Sequence, residues 1–110
     1  MPAKFYCVGL NYKKADVKVR GAFTITKKDQ KLLLKDAKEN GIKGIFVIST
    51  CNRTEVSGFA NHPFELISYI LKYSKGSLEE FIKVSNVYKN KAAVNHLFNI
   101  GTGLESQILG

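Results

Sequence analysis

A cysteine surrounded by polar side chains follows an apolar segment near the middle of the chain. Residues 44–48, Gly-Ile-Phe-Val-Ile, have the composition of a buried strand, and Ser49-Thr50-Cys51-Asn52-Arg53-Thr54-Glu55 starts directly after them. A side chain at the end of such a strand is held by a rigid scaffold and can still face solvent. The close grouping of a thiol, hydroxyls, an amide, a guanidinium and a carboxylate therefore predicts a site rather than a simple turn.

Cys51 and His96 have the side chains needed for nucleophilic catalysis. The thiolate is the attacking species, and it forms more readily beside a cation or a proton acceptor. Arg53, two residues after Cys51, and His96, in a predicted helix, are the candidates for that help. The sequence leaves their distances from Cys51 open. His62 precedes Pro63 at a predicted helix start without polar neighbours, so we assign it no role.

The second cysteine has the opposite context. Cys7 lies inside the apolar run 5–10, so we expect it to be a small buried side chain. Two cysteines make no disulfide framework, and both are predicted to be free thiols. The chain shows no zinc-binding spacing of cysteines and histidines, and we predict no metal ligand.

Composition and charge limit the class of protein. A chain of 110 residues is expected to form one domain, and no apolar run approaches the roughly 20 residues that span a bilayer. No signal peptide is recognisable, so a cytoplasmic location is expected. The formal charge of +8 favours a polyanionic partner such as nucleic acid, although scattered lysines can also serve only to solubilise a surface.

Hydrophobic periodicity and capping residues predict the element order β-α-β-β-α-α-β-α. Thr26 and Ser77 are predicted helix caps, Gly41 ends the first long helix, and Asn90 is expected to cap the last helix. The order favours an α+β fold, a mixed or antiparallel sheet with helices packed on one face in a ferredoxin-like sandwich. The predicted strands are 4–10, 43–49, 55–60 and 84–88, and the predicted helices begin near residues 26, 63, 77 and 90. Residues 16–20 are expected to form at most one or two helical turns.

Three motifs, in order along the chain, resemble those of the N-terminal catalytic domain of glutamyl-tRNA reductases. Residues 9–13, Gly-Leu-Asn-Tyr-Lys, are similar to the family's opening motif, with Tyr12 in place of the usual histidine. Residues 49–55 match the family's nucleophile motif without a substitution. Residues 95–98 and 103–110 resemble its His-Leu-Phe and Gly-Leu-Asp-Ser signatures.

The resemblance implies a reaction and a role for each site residue. Cys51 would attack the ester of glutamyl-tRNA and form a thioester, which is later reduced to glutamate-1-semialdehyde for tetrapyrrole and haem synthesis. Arg53 would bind a carboxylate of the glutamyl group, and His96 would transfer or orient a proton. The other substrate-binding residues implied by the resemblance are Thr50, Asn52 and Ser106.

The resemblance also implies cofactors, partners and further domains. NADPH would be the hydride donor in the full-length enzyme, but no Gly-x-Gly-x-x-Gly follows a strand here, so residues 1–110 are expected to be the catalytic domain without the NADPH-binding and dimerisation domains. The last helix would lead toward those domains. The implied partners are glutamyl-tRNA(Glu), a second subunit in a homodimer and the aminomutase that acts next.

Two alternatives remain open from the sequence. A non-catalytic basic module would bind tRNA without any dependence on Cys51 or on the attached amino acid. A Cys-His hydrolase would act on simple esters or peptides without tRNA. Arg53, which is suited to a carboxylate, and the intact motif 49–55 favour the reductase domain over both.

Overall fold

Residues 3–109 form four strands and five helices. A computed structural model describes the backbone of residues 3–109 and the side chains of residues 3–100. The strands are β1 (Lys4–Leu10), β2 (Lys43–Ser49), β3 (Thr54–Ala60) and β4 (Ser85–Lys89). The helices are α1 (Val17–Ala22), α2 (Lys27–Glu39), α3 (Pro63–Tyr73), α4 (Leu78–Val84) and α5 (Lys91–Leu109). None of these helices combines the length and the apolar character needed to cross a membrane.

All strand pairs in the sheet are antiparallel, and the strand order is β2-β3-β1-β4. The crossover helices place β1 and β3 side by side at the centre, with β2 and β4 at the edges. This is the order of a ferredoxin-like sandwich, so the predicted α+β class is confirmed. The predicted elements are found, with β4 shifted by one residue and β3 beginning one residue earlier. The observed order has one helix more than predicted, because the segment expected to form only one or two helical turns after β1 is the short helix α1.

One face of the sheet carries the hydrophobic core. Alternate residues of a strand point to opposite faces, and Tyr6, Val8 and Leu10 of β1 all lie in this core. Helices α2 and α3 supply the covering layer through Leu33, Ala37, Leu66 and Ile70, each of which is completely buried. Phe23 and Phe81 close one end of the core, with their ring centroids 5.5 Å apart in an edge-to-face contact.

The opposite face of the sheet is covered in part by α5. Cys7 and Gly9 of β1 are paired with Ser57 and Glu55 of β3, so the side chains of these positions share a face. His96 of α5 contacts Glu55, which places α5 on this second face. The two-sided cover explains why β1 is buried along most of its length.

Local sequence signals define most of the helix starts. The Thr26 hydroxyl accepts a hydrogen bond from the Asp29 N–H, and Ser77 does the same for Glu80, as their positions predict. His62, to which we assigned no role, is the N-cap of α3, because its Nδ1 accepts from the Phe64 N–H at 3.0 Å.

The start of α5 differs in detail from the expectation. Asn90 precedes the helix and its carbonyl accepts from the Val94 N–H, but its side-chain oxygen accepts from the Phe5 N–H at 3.2 Å. Asn90 has a φ of 52°, a conformation that asparagine adopts more readily than most residues. The side chain therefore ties α5 to β1, and the helix continues without a break through Gly101 and Gly103 to Leu109.

An irregularity in β2 depends on a glycine. The pairing with β3 shifts by one residue between Lys43 and Phe46, which is the pattern of a β-bulge. Gly44 lies inside the bulge with a φ of 66°, and a Cβ there would be 3.0 Å from the Phe59 ring. Only glycine meets both conditions without strain.

Candidate active site

Glu55 is the centre of a polar cluster between the sheet and α5. Glu55 is only 3% exposed. Its Oε1 lies 2.9 Å from His96 Nε2 and 3.2 Å from Arg53 Nη1. A buried carboxylate is costly unless charged or hydrogen-bonding groups surround it. Arg53 and His96 supply such groups here, so the three side chains hold one another in place.

Gly9 makes the space for this carboxylate. Gly9 faces Glu55 directly across the β1–β3 pair, and a Cβ at this position would be 2.5 Å from Glu55 Cγ. Such a contact would force the carboxylate or the strand to move. The glycine of the motif at residues 9–13 is thereby explained by packing against the cluster.

His96 is held by an aromatic ring as well as by Glu55. Its ring stacks on that of Tyr88 in β4, with centroids 4.0 Å apart and planes 14° apart. His96 is about one-sixth exposed, with a side-chain accessibility of 17%, so one part of the ring still reaches the surface. This geometry leaves the imidazole accessible while fixing its plane.

Arg53 lies between Glu55 and an aromatic side chain. The guanidinium carbon is 5.1 Å from the centroid of the Tyr12 ring, the distance of a cation–π contact. A neutral tyrosine can stack on this cation, whereas a protonated histidine at the same position would repel it. The contact gives a physical account of how Tyr12 is accommodated beside Arg53.

A cavity of about 260 Å³ opens beside the cluster. Its wall brings together residues from the first motif, the nucleophile motif, β4 and α5. They are Leu10, Asn11, Tyr12, Lys13, Arg53, Asn86, Tyr88 and His96. The lining combines a guanidinium, an ammonium, an amide pair and an imidazole, which suits an anionic or polar ligand.

Cys51 lies at the exposed tip of the β2–β3 hairpin. The Thr50 N–H donates to the Arg53 carbonyl at 2.7 Å, and the Arg53 N–H donates back to the Thr50 carbonyl at 3.4 Å. These two bonds close a tight turn with Cys51 and Asn52 at its tip. The thiol is therefore solvent-accessible on a well-tied turn whose last residue lines the cavity.

A second arginine approaches the same turn. Arg20 Nη1 donates to Asn52 Oδ1 at 3.4 Å, while its Nε is buried and has no hydrogen-bond partner among the described residues. Arg20 stands near the end of α1, far from the turn in sequence. The turn therefore ends in one arginine, Arg53, and is contacted by a second, Arg20.

Cys7 has the character of a buried structural thiol, as its sequence context predicts. It is 1% exposed, and its Sγ lies 3.7 Å from Glu55 Oε2. Burial raises the pKa of Cys7 to about 12, the Ser57 hydroxyl acts in the opposite direction, and the negative charge of Glu55 adds to the rise. Cys7 is thus a neutral thiol at neutral pH and makes a poor nucleophile.

The predicted site residues fall into two groups. Arg53 and His96 meet at Glu55, whereas Cys51, Thr50 and Asn52 form the turn beside them. Within residues 3–100, Cys51 makes no hydrogen bond or ion pair, to His96 or to any other group. Ser106 lies outside the residues whose side chains the structure describes.

Comparison with known proteins identifies the family. A family model described as the N-terminal domain of glutamyl-tRNA(Glu) reductase matches residues 8–110. The chain belongs to this family. Curated relatives named glutamyl-tRNA reductase are 58% identical in Christiangramia forsetii and 57% identical in Flavobacterium psychrophilum, each over 106 residues and 96% of this chain. A glutamyl-tRNA reductase 2 of Flavobacterium johnsoniae is 54% identical over the same length.

This chain spans about a quarter of the length of these reductases, 25%, 26% and 24% respectively. The family match includes Arg53, Glu55 and His96 but not Cys7, which precedes residue 8. Glu55 is the main residue of the cluster to which sequence reasoning gave no role. The signal in the sequence was its position as the last residue of the motif 49–55, two residues after Arg53.

Proposed function

We propose that this chain is the part of a glutamyl-tRNA reductase that takes the glutamyl group from tRNA onto Cys51. The observation that carries the proposal is an exposed cysteine on a tied hairpin turn whose last residue, Arg53, lines a polar cavity shared with His96. Membership of the reductase family supports the choice of substrate class.

The proposed step is acyl transfer. The Cys51 thiolate attacks the ester carbonyl of glutamyl-tRNA, a carbon–sulfur bond forms, and the bond from that carbon to the ribose oxygen breaks. The leaving hydroxyl of the tRNA takes up a proton, for which His96 is the candidate donor because its ring reaches the cavity. A thioester is more reactive toward hydride than an oxygen ester, which is the chemical advantage of sulfur here.

Arg53 is the proposed contact for a glutamyl carboxylate. One of its terminal nitrogens is bound to Glu55, and the side chain is 22% exposed, so its other N–H groups remain available toward the cavity. Glu55 would fix the direction of the guanidinium before substrate arrives, which lowers the cost of ordering it. Thr50, Asn52 and Ser106 complete the proposed substrate-binding set.

Reduction by NADPH requires a site that this sheet does not form. Dinucleotides bind at the carboxyl ends of parallel strands, beside a glycine-rich turn that leads into a helix. The strands described here are all antiparallel, and no such turn follows any of them. We therefore propose that hydride transfer depends on the remainder of a longer reductase. The same remainder would form the homodimer, and the aminomutase that acts next is a further proposed partner.

Acylation of the chain by glutamyl-tRNA tests the proposal. Incubation with tRNA carrying labelled glutamate is expected to leave label on the wild-type chain in a hydroxylamine-sensitive bond, and on a Cys7→Ala control. Cys51→Ser should carry no thioester-bound label. Persistence of a hydroxylamine-sensitive thioester in Cys51→Ser would contradict the assignment of Cys51.

The charge of +8 favours one competing function, a basic module that only binds tRNA. Such a module would hold charged and uncharged tRNA equally well and would take no label. We place the acyl-transfer reaction in the cytoplasm, where glutamate-1-semialdehyde would enter tetrapyrrole synthesis. Equal binding of both tRNA forms together with no acylation would favour the binding module.

A further inference from the structure

Three potential metal ligands meet on the α5 side of the sheet. Cys7 Sγ lies 3.7 Å from Glu55 Oε2, and His96 Nε2 lies 2.9 Å from Glu55 Oε1. One ligand atom of each residue lies within 4.8 Å of those of the other two. The three side chains come from β1, β3 and α5, so they converge only in the folded chain.

We propose that Cys7, Glu55 and His96 form a binding site for a divalent transition-metal ion, with Zn²⁺ as the preferred ion. Thiolate, imidazole and carboxylate are the donors that Zn²⁺ takes in proteins. Zinc–ligand bonds of about 2.0–2.3 Å place the ligand atoms of a tetrahedron about 3.3–3.8 Å apart. Cys7 Sγ and Glu55 Oε2 have this spacing, and the limit of 4.8 Å on the set of three ligand atoms exceeds it by about 1 Å.

A buried hydroxyl beside Cys7 supports this site independently. Ser57 is completely buried, and its Oγ meets no nitrogen or oxygen partner in the described part of the chain, but it is close enough to the Cys7 sulfur to lower the pKa of that thiol. Buried hydroxyls are rarely left unpaired. Ser57 is the β3 partner of Cys7 in the sheet, so its hydroxyl can donate to the sulfur once the sulfur becomes a thiolate. Metal ligands commonly have such a supporting donor.

The charges and bonds of the proposed site balance. The metal replaces the proton of Cys7, which is released to solvent, and binds Glu55 Oε2, the oxygen that faces Cys7 rather than Arg53. The two anionic ligands offset the 2+ charge of the metal, and Arg53 keeps its contact with Glu55 Oε1. His96 lines the cavity, so water can occupy the fourth position. Metal binding uses His96 Nε2 and therefore separates it from Glu55 Oε1, so the metal-bound chain is a different state from the one in which His96 Nε2 donates a proton.

Cobalt(II) is a suitable probe because its bond to a thiolate gives a charge-transfer absorption band in the near ultraviolet. We expect the metal-free chain, kept reduced with a phosphine, to bind one Co²⁺ with this band, and Zn²⁺ to displace it. Cys7→Ala should lose the band, whereas the matched control Cys51→Ser should keep it. His96→Ala should bind Co²⁺ at least tenfold more weakly. These outcomes do not depend on the proposed acyl transfer.

Several results would overturn the proposal. They are a wild-type chain without the band at saturating Co²⁺, a band that persists in Cys7→Ala but disappears in Cys51→Ser, or unchanged affinity in His96→Ala. If circular dichroism shows that Cys7→Ala does not fold, Ser57→Ala replaces it. That variant should bind Co²⁺ about tenfold more weakly with an unchanged fold, and an unchanged affinity would count against the site.

Discussion

At the scale of single residues, the site depends on one buried carboxylate. Glu55 contacts Arg53, His96 and Cys7, and two of these residues line the cavity. Cys51 is accessible and free of contacts within residues 3–100, whereas Cys7 is buried and protonated. The proposed nucleophile, on a turn closed by two backbone hydrogen bonds, is therefore separate from a fixed set of polar groups around Glu55.

Loss of the Glu55 charge is predicted to loosen both of its partners. Glu55→Gln keeps the size of the side chain but removes the charge that pairs with Arg53, so we expect a loss of about 1–3 kcal/mol in the free energy of unfolding. Urea denaturation measures the loss, and the acylation assay should show slower transfer to Cys51.

Glu39→Gln is the matched control, because Glu39 is exposed at the end of α2. It should unfold and react within error of the wild-type chain. Equal stability and equal acylation rates for Glu55→Gln and the wild-type chain would show that Glu55 does not hold the cluster.

At the scale of elements, β1 and β3 approach closely only because Gly9 lacks a side chain. A methyl group at Gly9 would lie 2.5 Å from both Glu55 Cγ and the Thr54 carbonyl oxygen. We expect Gly9→Ala to lower the free energy of unfolding by about 1–3 kcal/mol, the usual range for overpacking. Thermal denaturation followed by circular dichroism would measure the difference.

Gly21→Ala is the matched substitution in open space. A Cβ there meets no atom within 4 Å, and Gly21 lies within α1, where alanine is favoured over glycine by about 0.5–1 kcal/mol. This variant should be as stable as the wild-type chain or more stable. If both alanine variants had the same stability, the strands would not approach each other at Gly9 as closely as the structure shows.

The contact between α2 and α3 is predicted to weaken in acid. Asp36 accepts hydrogen bonds from Lys72 Nζ at 2.6 Å and the Tyr73 hydroxyl at 2.7 Å. These partners, Lys72 first, lower the pKa of Asp36 below its ordinary value of 3.8. Because the folded pKa is the lower one, the stabilisation is present above pH 3.8 and is lost as the pH falls through the folded pKa.

The test compares urea unfolding of the wild-type chain and Asp36→Asn as a function of pH. The wild-type chain should be the more stable near neutral pH, and the difference should shrink as the pH falls below 3.8. A difference that stays constant through this range would mean that the Asp36 charge contributes nothing.

The sequence predicts elements better than it predicts contacts. The caps at Thr26 and Ser77 and the bounds of β1 and β2 follow from local patterns, because capping and alternation act over a few residues. The Glu55 cluster joins residues 41 and 48 positions apart, and only the strand order and the course of α5 bring them together. The side chain of Asn90 was also mispredicted for this reason, since it accepts a hydrogen bond from β1 instead of capping its own helix.

At the scale of the whole molecule, the charge of +8 predicts salt-sensitive binding of tRNA. Each phosphate contact contributes about 0.7–0.9 to the slope of log affinity against log salt concentration. Lys13 lines the cavity beside Arg53, so Lys13→Ala should reduce that slope by about one contact. Binding measured at several salt concentrations gives the slope.

Lys38 provides the control for this measurement. It is exposed in the last turn of α2, and α2 packs on the sheet face opposite α5. Lys38→Ala should leave the slope nearly unchanged. Equal slopes for both variants would place the tRNA contact away from the cavity.

Mass spectrometry can locate the glutamyl group on the chain and so test whether Cys51 is the residue that accepts it. The wild-type chain is mixed with glutamyl-tRNA, quenched in acid and digested, and the peptides containing Cys51 and Cys7 are compared. We expect a glutamyl adduct on the Cys51 peptide alone, because Cys51 is exposed and Cys7 is buried. An adduct on Cys7, or none on Cys51 while tRNA is deacylated, would contradict it.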